Sequence, residues 1–351
     1  MNRKRIRDYG ITIGSLPPGK RNTITDIPGV TVGHCTIDTP RHKTGVTVIL
    51  PSPENIFQNK LPASAYVLNG FGKTAGLLQV QELGTLESPI ALTNTLNVGL
   101  VQDALVEYMV NRCKKEEVQL KSFNPVVGEC NDSSLNDICD RAVKQEHVFS
   151  AIKTASEDFD QGDVGAGKGT ICFGFKGGIG SASRVIPIDG QDYHLGVLVQ
   201  SNFGRTGDLM VNGFPLGQKT EKEIEAARED KGSIVSVIAT DLPLSSRQLH
   251  RILKRVCIGL GRTGSHIGNG SGDIMIGFST ACTLPFDSEE SFHNVKILNE
   301  SKMDLAFRAV IEAEEEAVLN SMVAADTVIG YKGEARLGLL PYLERYLDLI
   351  K

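Results

Sequence analysis

The sequence predicts a mixed α/β (α+β) fold, and three observations carry that reading. Short runs of aliphatic and β-branched residues recur between glycine, proline and asparagine clusters, as strands do between turns. Longer stretches space their apolar residues three and four apart, as helices do. The two kinds of segment interleave without a regular strand–helix–strand rhythm, which points to mixed sheets.

The elements follow in chain order. Gly29–His34 and Gly45–Leu50 alternate as strands, and Ala65–Leu68 leads into a turn at Asn69–Gly72. Pro89–Leu92 is a short apolar strand. Asn97–Cys113 is a helix, because Val98, Val101, Leu105, Tyr108 and Met109 share one side. Pro125–Glu129 reads as a strand and Ile138–Phe159 as mostly helix. Gly162 to Gly180 holds eight glycines, which suggests tight turns around a site. β segments are expected near Leu195–Gln200 and Leu209–Gly213. The polar run Lys219–Lys231 breaks off at Gly232, and Ser233 opens a strand that ends at Thr240. Ser245 is placed to cap a helix running to Leu260. Asp273–Ser279 is a strand, Met303–Ala324 the clearest helix, and a last helix spans Leu339–Leu349.

Composition narrows the function classes. The chain has 351 residues, 40% hydrophobic and 23% charged, the balance of a soluble globular protein. We read it as a single domain, 1–351. A net charge of -5 gives no sign of a nucleic-acid partner. No run of eighteen apolar residues is present, so no membrane span is expected. No apolar stretch follows the basic start Met1–Arg5, so no signal peptide is expected either. The 7 cysteines are odd in number and lack a CxxC pair, which fits buried thiols in a reducing, cytoplasmic setting.

Several motifs come close to known chemistry and fall short. Gly162–Gly169 nearly matches a phosphate loop, but Gly169 stands where a hydroxyl should reach magnesium. A β segment follows it where a helix is required, so a glycine-rich turn is the better reading than a nucleotide site. The 7 histidines form no HExxH and no helical pair, so neither a metal nor a cofactor is expected. His266 reads as a surface or structural histidine. Ser271, in Gly268–Gly272, has glycines at the wrong offsets for a hydrolase elbow and precedes a strand.

Gly232-Ser233 is the most informative spot. A flexible residue, a hydroxyl and then an apolar strand is a layout suited to a bond that the protein cuts itself. Cleavage there would leave Ser233 with its hydroxyl beside a free α-amine, a nucleophile and a base on one residue. An ordinary turn before a strand is the plainer alternative.

Seven stretches in order change the balance. They are Arg5–Gly10, Asn22–His34, Leu92–Gly99, Val126–Asp132, Gln200–Gly204, Gly232–Leu244 and Gly268–Asp273. Together they resemble the DmpA/BapA family of self-processing serine aminopeptidases, over nearly the whole chain. The resemblance implies an αββα sandwich, similar in layout to the N-terminal-nucleophile hydrolases and to ornithine acetyltransferases. It implies a precursor cut between Gly232 and Ser233 into 1–232 and 233–351, and a homotetramer of the cleaved heterodimers. It implies removal of N-terminal residues from small peptides, amides or esters, without metal or cofactor.

The same resemblance assigns roles. Ser233 would be the nucleophile, Asn202 the oxyanion-stabilising asparagine, and Ser271 with Asp273 the pair that positions the nucleophile and its amine. Asp273 stands where the family carries Glu, which keeps the charge and shortens its reach. Ser134 stands about where the family tends to carry a tyrosine, which bears on substrate preference. Glu129 and Asp132 are candidates for holding the substrate's ammonium group; helix capping is an equal alternative. Two rival functions remain at this stage. One is acyl transfer of the ornithine acetyltransferase kind, whose nucleophile is threonine. The other is an uncleaved, non-catalytic binding protein of the same fold.

Overall fold

The computed structural model describes residues 3–351 apart from 225, 226, 228, 230 and 289. Among the described residues, nine strands of five or more residues build two sheets. The first holds β1 (Thr31–Asp38), β2 (Lys43–Leu50), β4 (Ile90–Asn94) and β5 (Val126–Cys130) in the order β1-β2-β4-β5. The second is built on β3 (Asn59–Gly70), β6 (Gly178–Ile188), β7 (Gln191–Asn202), β8 (Lys231–Thr240) and β9 (Gly270–Ser279). Its order is β3-β9-β8-β7-β6, with short strands Thr85–Leu86 and Leu284–Pro285 added at β3. Within it β8 and β9 are parallel, whereas β7 runs antiparallel to both β8 and β6.

Three apolar layers define the sandwich. Helices α1 (Val98–Lys115) and α2 (Gln145–Lys153) cover the outside of the first sheet through Val101, Leu105, Val148 and Ala151, which cluster with Val46 and Val127. A central core joins the sheets, with Leu92 and Val126 against Val235 and Val237. Helices α3 (Ser246–Leu253), α4 (Val256–Arg262) and α5 (Met303–Val323) close the far side, where Ile234 and Ile238 meet Ala313, Ala317 and Val318. The period-two alternation of β8 explains the split: Val235, Val237 and Ala239 face the central core, and Ile234 and Ile238 face the helices. The arrangement is the αββα sandwich that the resemblance implied.

Most elements stand where the periodicity puts them, and the differences have local causes. The helix expected over Ile138–Phe159 is reduced to α2. A single 3₁₀ turn at Ile138–Asp140 ends on Arg141, whose φ of 48° breaks the helical path. Leu209–Gly213 is no strand. Asn212 and Gly213 both take positive φ, and Val211 exchanges backbone hydrogen bonds with Phe214 across the resulting tight turn. The segment from Ser245 divides into α3 and α4. Ser245 does cap α3, accepting from the Gln248 N–H at 3.3 Å. Gly259 then lets α4 press against α5, where a Cβ would come within 2.7 Å of Glu314 Cβ. The terminal helix is likewise two pieces, Leu340–Glu344 and Leu347–Ile350. Strand β8 starts at Lys231 rather than Ser233, because Lys231 and Gly232 already pair with Gly270 and Ser271. Four residues of the polar run before it (225, 226, 228 and 230) lie outside the described residues.

Candidate active site

The site lies where β8 and β9 begin and β7 and β3 end. In register, Ser233 is flanked by Asn202 of β7 on one side and Gly272 of β9 on the other. Its Oγ donates to the Gly232 carbonyl oxygen at 2.7 Å, and Ser233 is 5% exposed. Gly232 takes φ +135°, a region that essentially only glycine visits. Any Cβ there would lie 1.8 Å from the Asn202 carbonyl oxygen. The residue before the hydroxyl is therefore fixed as glycine by two independent constraints.

Asn202 is held by its own amide. Its Oδ1 accepts the Ile171 N–H at 2.9 Å, so the donor end, Nδ2, is turned away from that bond. Ser271 Oγ donates to Asp273 Oδ1 at 2.8 Å, and both residues are buried at the start of β9. Asn69 of β3 donates from Nδ2 to the Ser271 carbonyl, tying the two strand ends together. Strand β5 of the other sheet approaches from the opposite side. Cys130 Sγ donates to the Gln200 and Ser233 carbonyls at 3.3 and 3.5 Å. Burial, with the nearby Glu129 charge, pushes the Cys130 thiol well up, so it stays protonated and donating.

A cavity of about 310 Å³ opens here, and Asn131, Ser134, Ile171, Asn202, Gly232 and Arg336 contribute to its wall. Glu129 and Asp132 do not line it. Glu129 accepts from the Lys73 N–H at 3.0 Å and from Thr95 Oγ1, which ties the loop after β3 to β5. Asp132 is 1% exposed and accepts from Asn136 Nδ2 at 3.0 Å. Burial raises it to about 6, against the pull of the Thr44, Asn136 and Asn94 side chains. No helix starts directly after either carboxylate, so neither is a helix cap; the next helical turn is Ile138–Asp140. The near-phosphate-loop lysine, Lys168, is engaged by Asp38 and Asp163 at 2.7 and 2.9 Å. His266 is a surface residue 3.5 Å from Asp208.

The family model for peptidase family S58 matches residues 22–336. The chain belongs to peptidase family S58. A β-peptidyl aminopeptidase of Sphingosinicella microcystinivorans is 38% identical to it, over 97% of this chain and 90% of the relative. A solved structure from Pyrococcus horikoshii OT3 is 46% identical with a TM-score of 0.92, covering 98% of this chain and 99% of that one. The L-aminopeptidase D-Ala-esterase/amidase of Ochrobactrum anthropi, described as a prototype of the serine aminopeptidases and a variant of the Ntn hydrolase fold, is 34% identical. Its TM-score is 0.89, and the match covers 97% of this chain and 98% of that one. As an S58 member the chain is a hydrolase of the serine aminopeptidase class.

The S58 chain also shows what sequence reasoning missed. Ile171, whose N–H orients Asn202, and Arg336, on the cavity wall, come from distant segments without a motif. Gly272 had a signal in its Gly-Ser-Gly setting, but its use became legible only from the register that sets it against Ser233.

Proposed function

We propose that this S58 enzyme is made as a precursor that cuts Gly232–Ser233, and that Ser233 then serves as its N-terminal nucleophile. The observation that carries the reading is the 2.7 Å contact of Ser233 Oγ with the Gly232 carbonyl, at a glycine held at φ +135°. In the precursor, Oγ attacks the Gly232 carbonyl carbon. An O–C bond forms, the C–N bond breaks, and the departing nitrogen takes the hydroxyl proton. Water then opens the ester, leaving a Gly232 carboxylate and a free Ser233 amine and hydroxyl.

In the mature enzyme that amine is the base. An α-amine titrates near 7.7–8.0 in model peptides, close to working pH. It takes the Oγ proton as Oγ attacks the carbonyl of the substrate's first residue. Asn202 Nδ2 donates to the developing oxyanion. The ammonium returns the proton to the leaving amine, and water releases the acyl group by the same route. Ser271 and Asp273 sit on the neighbouring parallel strand, where a carboxylate favours the protonated amine in the intermediate. A cavity of about 310 Å³ suits small peptides, amides or esters. The names of the Sphingosinicella relatives and of a Burkholderia β-aminopeptidase support β-amino acid amides as substrates to try first. We further propose a cytoplasmic homo-oligomer, a tetramer of cleaved heterodimers.

A denaturing gel with N-terminal sequencing tests the reading. Active protein should give two fragments, the smaller beginning Ser-Ile-Val-Ser. Ser233→Ala should stay whole and inactive. Full activity from an intact chain would overturn the proposal.

A further inference from the structure

We propose that Lys176 is a positioning residue for this reaction, acting on Asn202 through the backbone of residues 167–177. The inference rests on the reading of Asn202 as oxyanion donor and names the part of the fold that aims it.

Lys176 is fully buried. Its Nζ donates to the Gly167, Thr170 and Gly177 carbonyls at 2.8, 2.7 and 2.7 Å. Three N–H groups meet three carbonyls that converge from two sides of a small hairpin, in which Ile171–Cys172 pairs with Phe175–Lys176. Burial pushes the amine down to about 7, the expected cost of a cation whose direct partners are neutral carbonyls. A side chain so costly to bury is retained where nothing apolar could satisfy the same acceptors.

The hairpin it gathers is the one that holds Asn202. Ile171 gives its N–H to Asn202 Oδ1 at 2.9 Å, and Phe173 gives its N–H to the Phe203 carbonyl at 2.7 Å. In the two-stranded ladder Ile171 lies opposite Lys176 itself. Nζ thus holds the Thr170 carbonyl, whose peptide plane also carries the Ile171 N–H, and that N–H fixes which way the Asn202 amide points. Lys176 never meets substrate, and its effect belongs in turnover rather than in binding.

The experiment compares Lys176→Met, Asn202→Ala and the double variant, with rates expressed per Ser233 amino terminus from quantitative sequencing. A thermal melt confirms that each is folded. Lys176→Met should lose at least about tenfold in kcat with KM changed less than about threefold, and should cost no further kcat in the Asn202→Ala background. Wild-type kcat in Lys176→Met, or an equal loss with and without Asn202, would overturn the proposal. If Lys176→Met does not fold, Ile171→Pro decides: it removes the N–H that Asn202 accepts together with a cavity-wall side chain, so the fall in kcat that it causes should disappear in the Asn202→Ala background. Wild-type kcat in Ile171→Pro itself would sink the idea. Asn202→Ala with unchanged kcat would instead refute the underlying assignment of the oxyanion donor, a distinguishable failure.

Discussion

Gly272 lies directly across from Ser233 in parallel register, and a Cβ built on it would stand 3.1 Å from Ser233 Oγ and 2.4 Å from the Phe71 carbonyl oxygen. The missing side chain is what allows the hydroxyl and the loop after β3 to share one space. Gly272→Ala must shift the Phe71 backbone or its own strand to relieve the 2.4 Å overlap, and it crowds the Ser233 hydroxyl as well. We expect the precursor to remain largely uncut and kcat/KM to fall at least about a hundredfold. Gly270→Ala is the control, since its new methyl meets only the flexible Lys231 side chain, at 3.2 Å. Gel densitometry and an aminoacyl p-nitroanilide assay on both variants check this, and equal behaviour of the two would refute it.

Gly232 makes a second prediction. Alanine at φ +135° is strained, and its methyl would overlap the Asn202 carbonyl oxygen at 1.8 Å. Relief requires the Gly232 carbonyl to turn away from Ser233 Oγ. Gly232→Ala should accumulate as a single full-length band for hours under conditions where the wild type is fully cut. Processing at the wild-type rate would show that the glycine conformation has no part in the cleavage.

Much of this was legible in the sequence, and the limit has a physical cause. The strand from Ser233 and the helix Met303–Val323 announced themselves by their apolar spacing, because their neighbours are layers of the same core. The apolar run Leu209–Val211 reads equally as a strand, and the mark of the turn is the Asn212-Gly213 pair behind it, whose residues both take positive φ. The family resemblance points to Ser233, Asn202, Ser271 and Asp273, and the sheet register gathers all four at one end of adjacent strands. Ser134 lines the cavity. Glu129 and Asp132 face protein groups instead, since a carboxylate next to a motif carries no mark of which way its strand turns it. Ile171 offers its backbone N–H and Lys176 meets backbone carbonyls, and contacts made by the main chain leave little trace in residue types.

Asn202→Ala tests the proposed oxyanion donor. It removes Nδ2 and also leaves the Ile171 N–H without its acceptor. Loss of one preorganised donor costs about 2.7–4 kcal/mol of barrier, or roughly 10²–10³ in kcat. The fall should appear in kcat at nearly constant KM in steady-state kinetics on cleaved protein. A change confined to KM would move Asn202 from transition-state stabilisation to substrate binding.

Glu314 sets a pH dependence of stability that is separate from catalysis. It projects from α5 onto β8, is fully buried, and accepts from Ser236 Oγ at 2.7 Å. Burial raises it from 4.5 to about 8, with the Ser236 hydrogen bond pulling the other way. The folded chain therefore binds this proton more tightly than the unfolded chain does. Its contribution is fully present below pH 4.5 and is lost as pH rises toward about 8. Glu314→Gln keeps the shape and an acceptor for Ser236 but removes the titration. The variant's melting temperature relative to wild type should be flat at acid pH, climb between pH 4.5 and about 8, and level off above. Calorimetry across that range checks it. A difference that stays constant with pH would show that Glu314 ionises as freely in the fold as in the open chain.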